Sequence, residues 1–310
     1  MLTDLERSLE RLANGVRADW AVYVKFIGSG DEIALNADAR MDTMSVIKIP
    51  LLVTLFREHE AGRVDLNQQL TLQTRWKRFG TGVLHAMDDG MTFTLRDAAT
   101  LMIIESDNTA TDYCFDAVGG PDKVDSVMKE IGLEQIQLRG TAFDWFSALA
   151  SSMDATLSDL GPEELFRAGY PELSPYDLAK ARERFHFEGN VPFGLASARA
   201  IGKLLEMIWS AECASPDSCA AMQRILRLQQ SRSRLPKYLV GVQVAHKTGD
   251  FNPFIANDVG VIEPHRVPPI IMCVFTARHR GIWENLEDTI ARMSEKVWEY
   301  GLYSSDSSND

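Results

Sequence analysis

The stretch Ser45-Val46-Ile47-Lys48-Ile49-Pro50-Leu51-Leu52-Val53 sets a hydroxyl and an amine three residues apart at the head of a run too apolar to face water. On a helix, residues i and i+3 share a face. The Lys48 amine then lies one turn from the Ser45 hydroxyl and, when neutral, can take its proton. A helix N-terminus also favours negative charge developing on that oxygen. Four residues alone decide little, because Ser45 as an ordinary helix N-cap and Lys48 as a solvated amine give the same string. What decides is the chain on either side.

Before the stretch, Leu5, Leu9, Leu12 and Val16 recur at helical spacing, and the period then changes in Trp20–Ile27 to that of a strand. Gly28-Ser29-Gly30-Asp31 marks a turn, and Glu32–Asn36 completes a β-hairpin. After it, residues 45 to about 215 are mainly helical, with apolar faces in Ile49–His59, Leu95–Ile104, Thr109–Val118 and Ala198–Trp209. Strand character returns at Val240–Lys247, Asn257–Ile262 and Ile270–Thr276, ahead of an amphipathic helix over Trp283–Tyr300. Strands at both termini with helices between them predict one antiparallel sheet flanked by helices. The expected fold class is therefore an α/β (α+β) sandwich, residues 1–48 and 195–303, joined to an all-helical subdomain, residues 49–194. Residues 145–190 are rich in Gly and Pro and read as a long surface excursion. Phe166, Tyr170, Tyr176, Phe185 and Phe187 argue for a packed one. The tail 304–310 has nothing to bury and is expected to be disordered.

With 310 residues, 45% of them hydrophobic, the chain is long enough for a core of this kind. A net charge of −12 repels phosphate backbones and anionic headgroups, which argues against nucleic acid and membrane surfaces as partners. No apolar run approaches the roughly 18 residues needed to span a bilayer. The acidic start, Met1-Leu2-Thr3-Asp4-Leu5-Glu6, is unlike a secretory signal, so a cytoplasmic location is expected. Cys114, Cys213, Cys219 and Cys273 form no CxxC pair and have no histidine at ligand spacing, so buried thiols are expected, with no metal site and no cofactor.

Two further strings carry chemistry. Ser106-Asp107-Asn108 stands between Leu101–Ile104 and Thr109–Thr111, where a polar triplet commonly marks a helix junction. Lys247-Thr248-Gly249 ends the strand Val240–His246, where a charged edge and a turn glycine would also suffice. Each is ordinary alone. Together, in the order SxxK, SDN, KTG, with helices at the first two and a strand at the third, they describe an acyl-transfer site.

On these residues the sequence resembles the class A β-lactamase family of serine hydrolases, over about residues 10–300 apart from 145–190. Gly80-Thr81-Gly82-Val83-Leu84, Gly90–Asp97, Gln229-Gln230 with Arg234-Leu235-Pro236, Ala245–Gly249 and Asn257-Asp258-Val259-Gly260 extend the likeness. The resemblance implies Ser45 as acylated nucleophile, Lys48 as its proton acceptor and Ser106 as the relay to the leaving group. It also implies Asn108 holding the substrate amide, and Lys247 with Thr248 and Gly249 binding a substrate carboxylate. Two ammonium groups near one serine should depress at least one lysine pKa. The backbone N–H of Ser45 and one near Asp250 or Phe251 should form the oxyanion hole.

Three departures bear on function. The acidic loop whose glutamate activates the deacylating water is missing, leaving Asp144 in Leu138–Trp145 as a candidate, either as catalyst or as a structural cap, and Glu172 as a remoter one. Ala256 replaces an arginine common in relatives. Asp250 stands where a small neutral residue is usual, so it should repel substrate carboxylates unless Arg278 compensates. The expected function is a serine hydrolase acting on a small acyl compound, an amide, lactam or ester, and weak on ordinary β-lactams. The alternatives are an acyltransferase or penicillin-binding peptidase-like protein with slow deacylation, or a silent ligand sensor.

Overall fold

The computed structural model describes residues 2–169, 173–189, 191–264 and 267–306. Two compact units divide the chain, residues 1–46 with 195–310 and residues 47–194. The first opens with α1 (Leu2–Asn14), β1 (Asp19–Phe26), β2 (Glu32–Leu35) and the two-residue strand β3 (Met41–Asp42). The second holds α2 (Lys48–Glu60), β4 (Gln69–Thr71), β5 (Thr92–Thr94), α3 (Leu95–Ile104), α4 (Asn108–Val118) and α5 (Pro121–Glu130). It continues with β6 (Gln137–Leu138), α6 (Ala142–Met153), α7 (Pro162–Ala168) and α8 (Pro175–Arg184). The chain returns to the first unit through β7 (Gly194–Ala196), α9 (Ala198–Trp209), α10 (Pro216–Arg227), β8 (Gln243–Phe251), β9 (Ile255–Glu263), β10 (Ile270–Ala277) and α11 (Trp283–Asp306).

In the first unit the sheet runs β2-β1-β10-β9-β8, each neighbour antiparallel, so the ends of the chain meet as the sequence predicts. Ala21, Val22, Tyr23 and Val24 of β1 are all buried, which requires cover on both faces. One face packs with α1 and α11 through Leu5, Leu9, Leu286, Ile290 and Val297. The other takes α9, where Gly202 lets the helix close on Tyr23: a Cβ there would stand 2.4 Å from the ring. β2 and β8 are the two edge strands of this sheet.

In the second unit α2 is apolar on every side, from Ile49 to Phe56, as befits a helix at the centre of a bundle, and it packs against α3, α4 and α5. This unit is not all-helical, because β4 and β5 pair antiparallel as Gln69–Thr94 through Thr71–Thr92. Three-residue strands are too short to show a two-residue period. The described residues of 145–189 are mainly helical and pack through Trp145, which meets Phe146, Phe185 and Phe193. Tyr176, expected inside, is instead 65% exposed with the Lys180 amine over its ring. Tyr170 and Glu172 lie outside the described residues.

Two boundaries differ from expectation. β8 starts three residues late, since Gly241 turns at φ +75° and Val240 is exposed, and it runs on through Gly249 to Phe251. Lys247-Thr248-Gly249 thus lies inside the strand rather than at its end. α11 extends to Asp306, past the start of the tail expected to be disordered; Ser307–Asp310 lie outside the described residues.

Candidate active site

In the first unit Ser45 sits in a 3₁₀ turn, Met44–Ile47, and α2 begins only at Lys48 with Ile47 as its N-cap. Ser45 is therefore not an ordinary helix cap. Met44 before it holds φ +45°, a left-handed conformation costly for a side chain with a Cβ. The backbone around it is tied down: Met44 N–H donates to Asp42 Oδ1 at 3.0 Å, and Asn257 Nδ2 donates to Asp42 O at 2.9 Å and Thr43 O at 3.2 Å. Gly249 of β8 closes the arrangement. A Cβ at Gly249 would stand 2.5 Å from Thr43 O and 3.1 Å from the Ser45 amide nitrogen, so only glycine lets the strand come this close to the Ser45 backbone.

Lys247 is wholly buried, its amine donating to Thr248 O at 2.8 Å. Burial pushes that amine down to about 7, against the opposing pull of Asp250 and Asp258, with Arg234 adding to the depression. The depression expected from two neighbouring lysines thus arises mainly from desolvation. Beside it, His246 Nδ1 meets Asp258 Oδ1 at 2.8 Å, and Leu235 N–H donates to Asp258 Oδ2.

Asp250 does not stand as an uncompensated acid. Its carboxylate pairs with Arg234, a guanidinium only 3% exposed that also lies 3.0 Å from Glu287, donates to Asn257 O at 2.7 Å and stacks over Trp283. The compensation expected from Arg278 is supplied by Arg234. Arg278 lies at the surface, its guanidinium 3.8 Å from Asp19 at the start of β1. The sequence reading named Arg234 only as part of the family likeness and gave it no role. No periodicity distinguishes a buried arginine in Arg234-Leu235-Pro236 from a solvated one.

In the second unit Lys48 is also wholly buried. Its amine donates to Ser106 O at 2.7 Å and Asn108 Oδ1 at 2.8 Å and lies 3.1 Å from Ser106 Oγ. The two carbonyl oxygens accept only, whereas the Ser106 hydroxyl can donate or accept. Ser106, between α3 and α4, holds φ +54°. Asp107 is the N-cap of α4, accepting from Ala110 N–H, and it also takes Val83 and Leu84 N–H at 2.7 and 2.9 Å. A Cβ at Gly82 would fall 2.3 Å from its carboxyl carbon, which explains the glycine at φ +118°. Asn108 Nδ2 donates to Phe79 O, and Thr81 Oγ1 to Ser106 O. The Gly80–Leu84 segment is thus the strap that fixes Ser-Asp-Asn.

Asp144 serves a different end. It is the third residue of α6 and completes a capping box with Thr141: Asp144 Oδ2 accepts from Thr141 N–H and Oγ1, each at 2.8 Å, and Asp144 N–H donates back to Thr141 Oγ1. The same helix end is anchored by buried Asp112, which accepts from Ala142 and Phe143 N–H and pairs with Arg78 at 2.5 Å. Asp144→Ala should therefore lower stability by about 0.5–2 kcal/mol in thermal melts, with the lifetime of any acyl adduct unchanged.

A sequence profile described as the β-lactamase enzyme family matches residues 4–301. A β-lactamase of Streptomyces lavendulae is 24% identical over 286 residues, covering 89% of this chain and 80% of that protein. Among solved structures, the β-lactamase from Sphaerobacter thermophilus DSM 20745 has a TM-score of 0.75 at 23% identity, over 96% of this chain and 97% of its own. PBP-A has a TM-score of 0.75 at 22% identity, over 96% of each chain. At such identities the structural likeness establishes the fold, while the profile, running from α1 into α11 with all three strings inside it, establishes descent: this chain belongs to the β-lactamase enzyme family of serine hydrolases.

Proposed function

We propose that the protein forms an acyl-enzyme at Ser45 with a small amide, lactam or ester and releases the acyl group slowly. The observation that carries this reading is the buried Lys48 amine, joined to Ser106 and Asn108 and three residues on from Ser45. Ser45 Oγ attacks the acyl carbon while its proton passes to neutral Lys48. The oxyanion takes the Ser45 and Asp250 N–H groups, the bond to the leaving nitrogen or oxygen breaks, and Ser106 delivers the leaving group's proton. Asn108 spends one amide N–H on Phe79 O, and its other holds a substrate amide apart from the carbonyl under attack. Hydrolysis of the ester then requires a base that activates water. The Asp144 capping box supports slow release, because that carboxylate is already engaged in ending a helix. The same feature favours, as a second reading, transfer of the acyl group to an added amine.

The test is intact-protein mass spectrometry after mixing with a penicillin and with a neutral activated ester. A persistent adduct that Ser45→Ala removes is the expected result, and an amine that shortens its lifetime would select the transferase. A transient adduct would mean an efficient hydrolase, and no adduct from either compound would sink the reading. Repeating the mixing across pH tests Lys247. Its amine, held down to about 7, is charged below that pH and neutral above it. Acylation by the penicillin carboxylate, divided by that of the neutral ester, should fall by up to about tenfold per pH unit above pH 7, since kcat/KM reports the free enzyme.

A further inference from the structure

The first unit holds two cysteines that the proposed reaction does not use. Cys213 lies in the connection 210–215 after α9, and Cys219 lies in the first turn of α10, four residues past its N-cap Ser215. Both are buried, as the sequence predicts, and their Sγ atoms stand 3.8 Å apart. The Cys219 thiol also donates to Ala214 O at 3.6 Å, so it already rests on the segment that carries Cys213. The cover over the two sulfurs is thin. Glu212, Ser215, Pro216 and Asp217 are exposed, and Ala211 holds φ +58°, a left-handed conformation costly for a residue with a Cβ, which makes this connection a place for local opening. Cys114 and Cys273 differ. One lies within α4 and the other within β10, and burial pushes both thiols well up, which keeps them inert.

We propose that Cys213 and Cys219 are a redox-convertible dithiol, closed to a disulfide by a low-molecular-weight disulfide of the glutathione class and thereby clamping α9 to α10. A disulfide bond is about 2.05 Å long, and the remaining gap is within the arc that a cysteine sulfur sweeps by rotation about Cα–Cβ. Exchange takes two steps. One thiolate attacks the small disulfide, forming a mixed disulfide and releasing one small thiol; the second thiolate then attacks the protein sulfur of that bond and releases the other. The two protein sulfurs are oxidised, the small disulfide is reduced to two thiols, and these take up the two protons that the cysteines lost. In the reduced form α9 and α10 are already tied by Gln223 Nε2, which donates to Ile208 O at 3.0 Å, so the new bond fixes an arrangement that exists. α9 packs on β10 and α10 on β8, the strand that carries Lys247-Thr248-Gly249. A reducing glutathione ratio keeps the dithiol open and an oxidising one closes it. The switch needs no chemistry at Ser45 and stands apart from the acyl-enzyme reading.

The experiment equilibrates the native, folded protein at low and high ratios of oxidised to reduced glutathione, quenches with acid, and alkylates the remaining thiols in denaturant for intact-mass and peptide analysis. All four cysteines should be alkylated at the low ratio. At the high ratio only Cys114 and Cys273 should be, with an internal link between Cys213 and Cys219 in the peptide that carries both. The oxidised form should melt about 5 °C higher, the low end of what a disulfide supplies, because the loop it closes is short. Cys213→Ser should melt alike at both ratios. Four alkylated cysteines at the high ratio would overturn the proposal, as would a stable glutathione adduct without the link, or a link through Cys114 or Cys273. An oxidised form that melts no higher than the reduced one would overturn the clamp, and so would Cys213→Ser gaining as much as the native protein on oxidation.

Discussion

Lys48→Ala is expected to slow adduct formation at Ser45 by about 10²–10⁴-fold, the usual contribution of a positioned base. The Lys48 side chain is wholly buried. Removing it strips Ser106 O and Asn108 Oδ1 of a donor inside the protein. Ser106 O keeps the Thr81 hydroxyl as a donor, while Asn108 Oδ1, left without its own, costs about 1–3 kcal/mol, so a lower melting temperature should accompany the loss of rate. The two effects separate in Lys48→Arg, which keeps positive charge and donors but cannot give up its proton to become a base. If Lys48 takes the serine proton, the arginine variant remains nearly as slow as the alanine one while regaining stability. Arginine restoring the rate to within threefold of native would show that Lys48 only organises Ser106 and Asn108. Adduct formation by mass spectrometry and thermal melting of the same samples provide both readouts.

How much of this was legible in the sequence follows from the physics of each signal. The hairpin, α3 and α9 were readable to the residue or nearly so, because long amphipathic faces repeat. The closing of the sheet by both termini followed from strand character at each end. Ser45, Lys48 and the two later strings were recognisable because their order is unusual, though each alone is common. What escaped are features made by tertiary burial. In Leu138–Trp145 the spacing of Thr141 and Asp144 before an apolar run suits a capping aspartate, and only the bonds to Thr141 decide between that and a catalytic one. A depressed lysine was foreseen, but not that it is Lys247 nor the main cause, since desolvation is a property of the packed strand. The Asp250 charge was read as a repulsion because its partner, Arg234, lies sixteen residues earlier in a segment with no periodic pattern.

Arg234 gives the second large expected effect. Arg234→Met should destabilise the protein by about 1–3 kcal/mol, because the guanidinium is buried while the Asp250 carboxylate is 38% exposed and keeps much of its hydration, and lower the melting temperature by several degrees. The methionine leaves the carboxylates of Asp250 and Glu287 without the cation they share, and Asn257 O without its donor. Because much of that cost is an unpaired charge, adding Asp250→Asn should recover part of it, which a simple packing loss would not allow. The pair also tunes Lys247 in a direction that can be worked out beforehand. Arg234 depresses the Lys247 amine and Asp250 supports it. Arg234→Met should therefore move the pH at which the penicillin-to-ester ratio falls upward from about 7, and Asp250→Asn alone should move it downward. Shifts of opposite sign from the two halves of one ion pair have no explanation in loosened packing, which would move both the same way. A midpoint unmoved by either change would mean that Lys247 is not the group whose charge receives the substrate carboxylate.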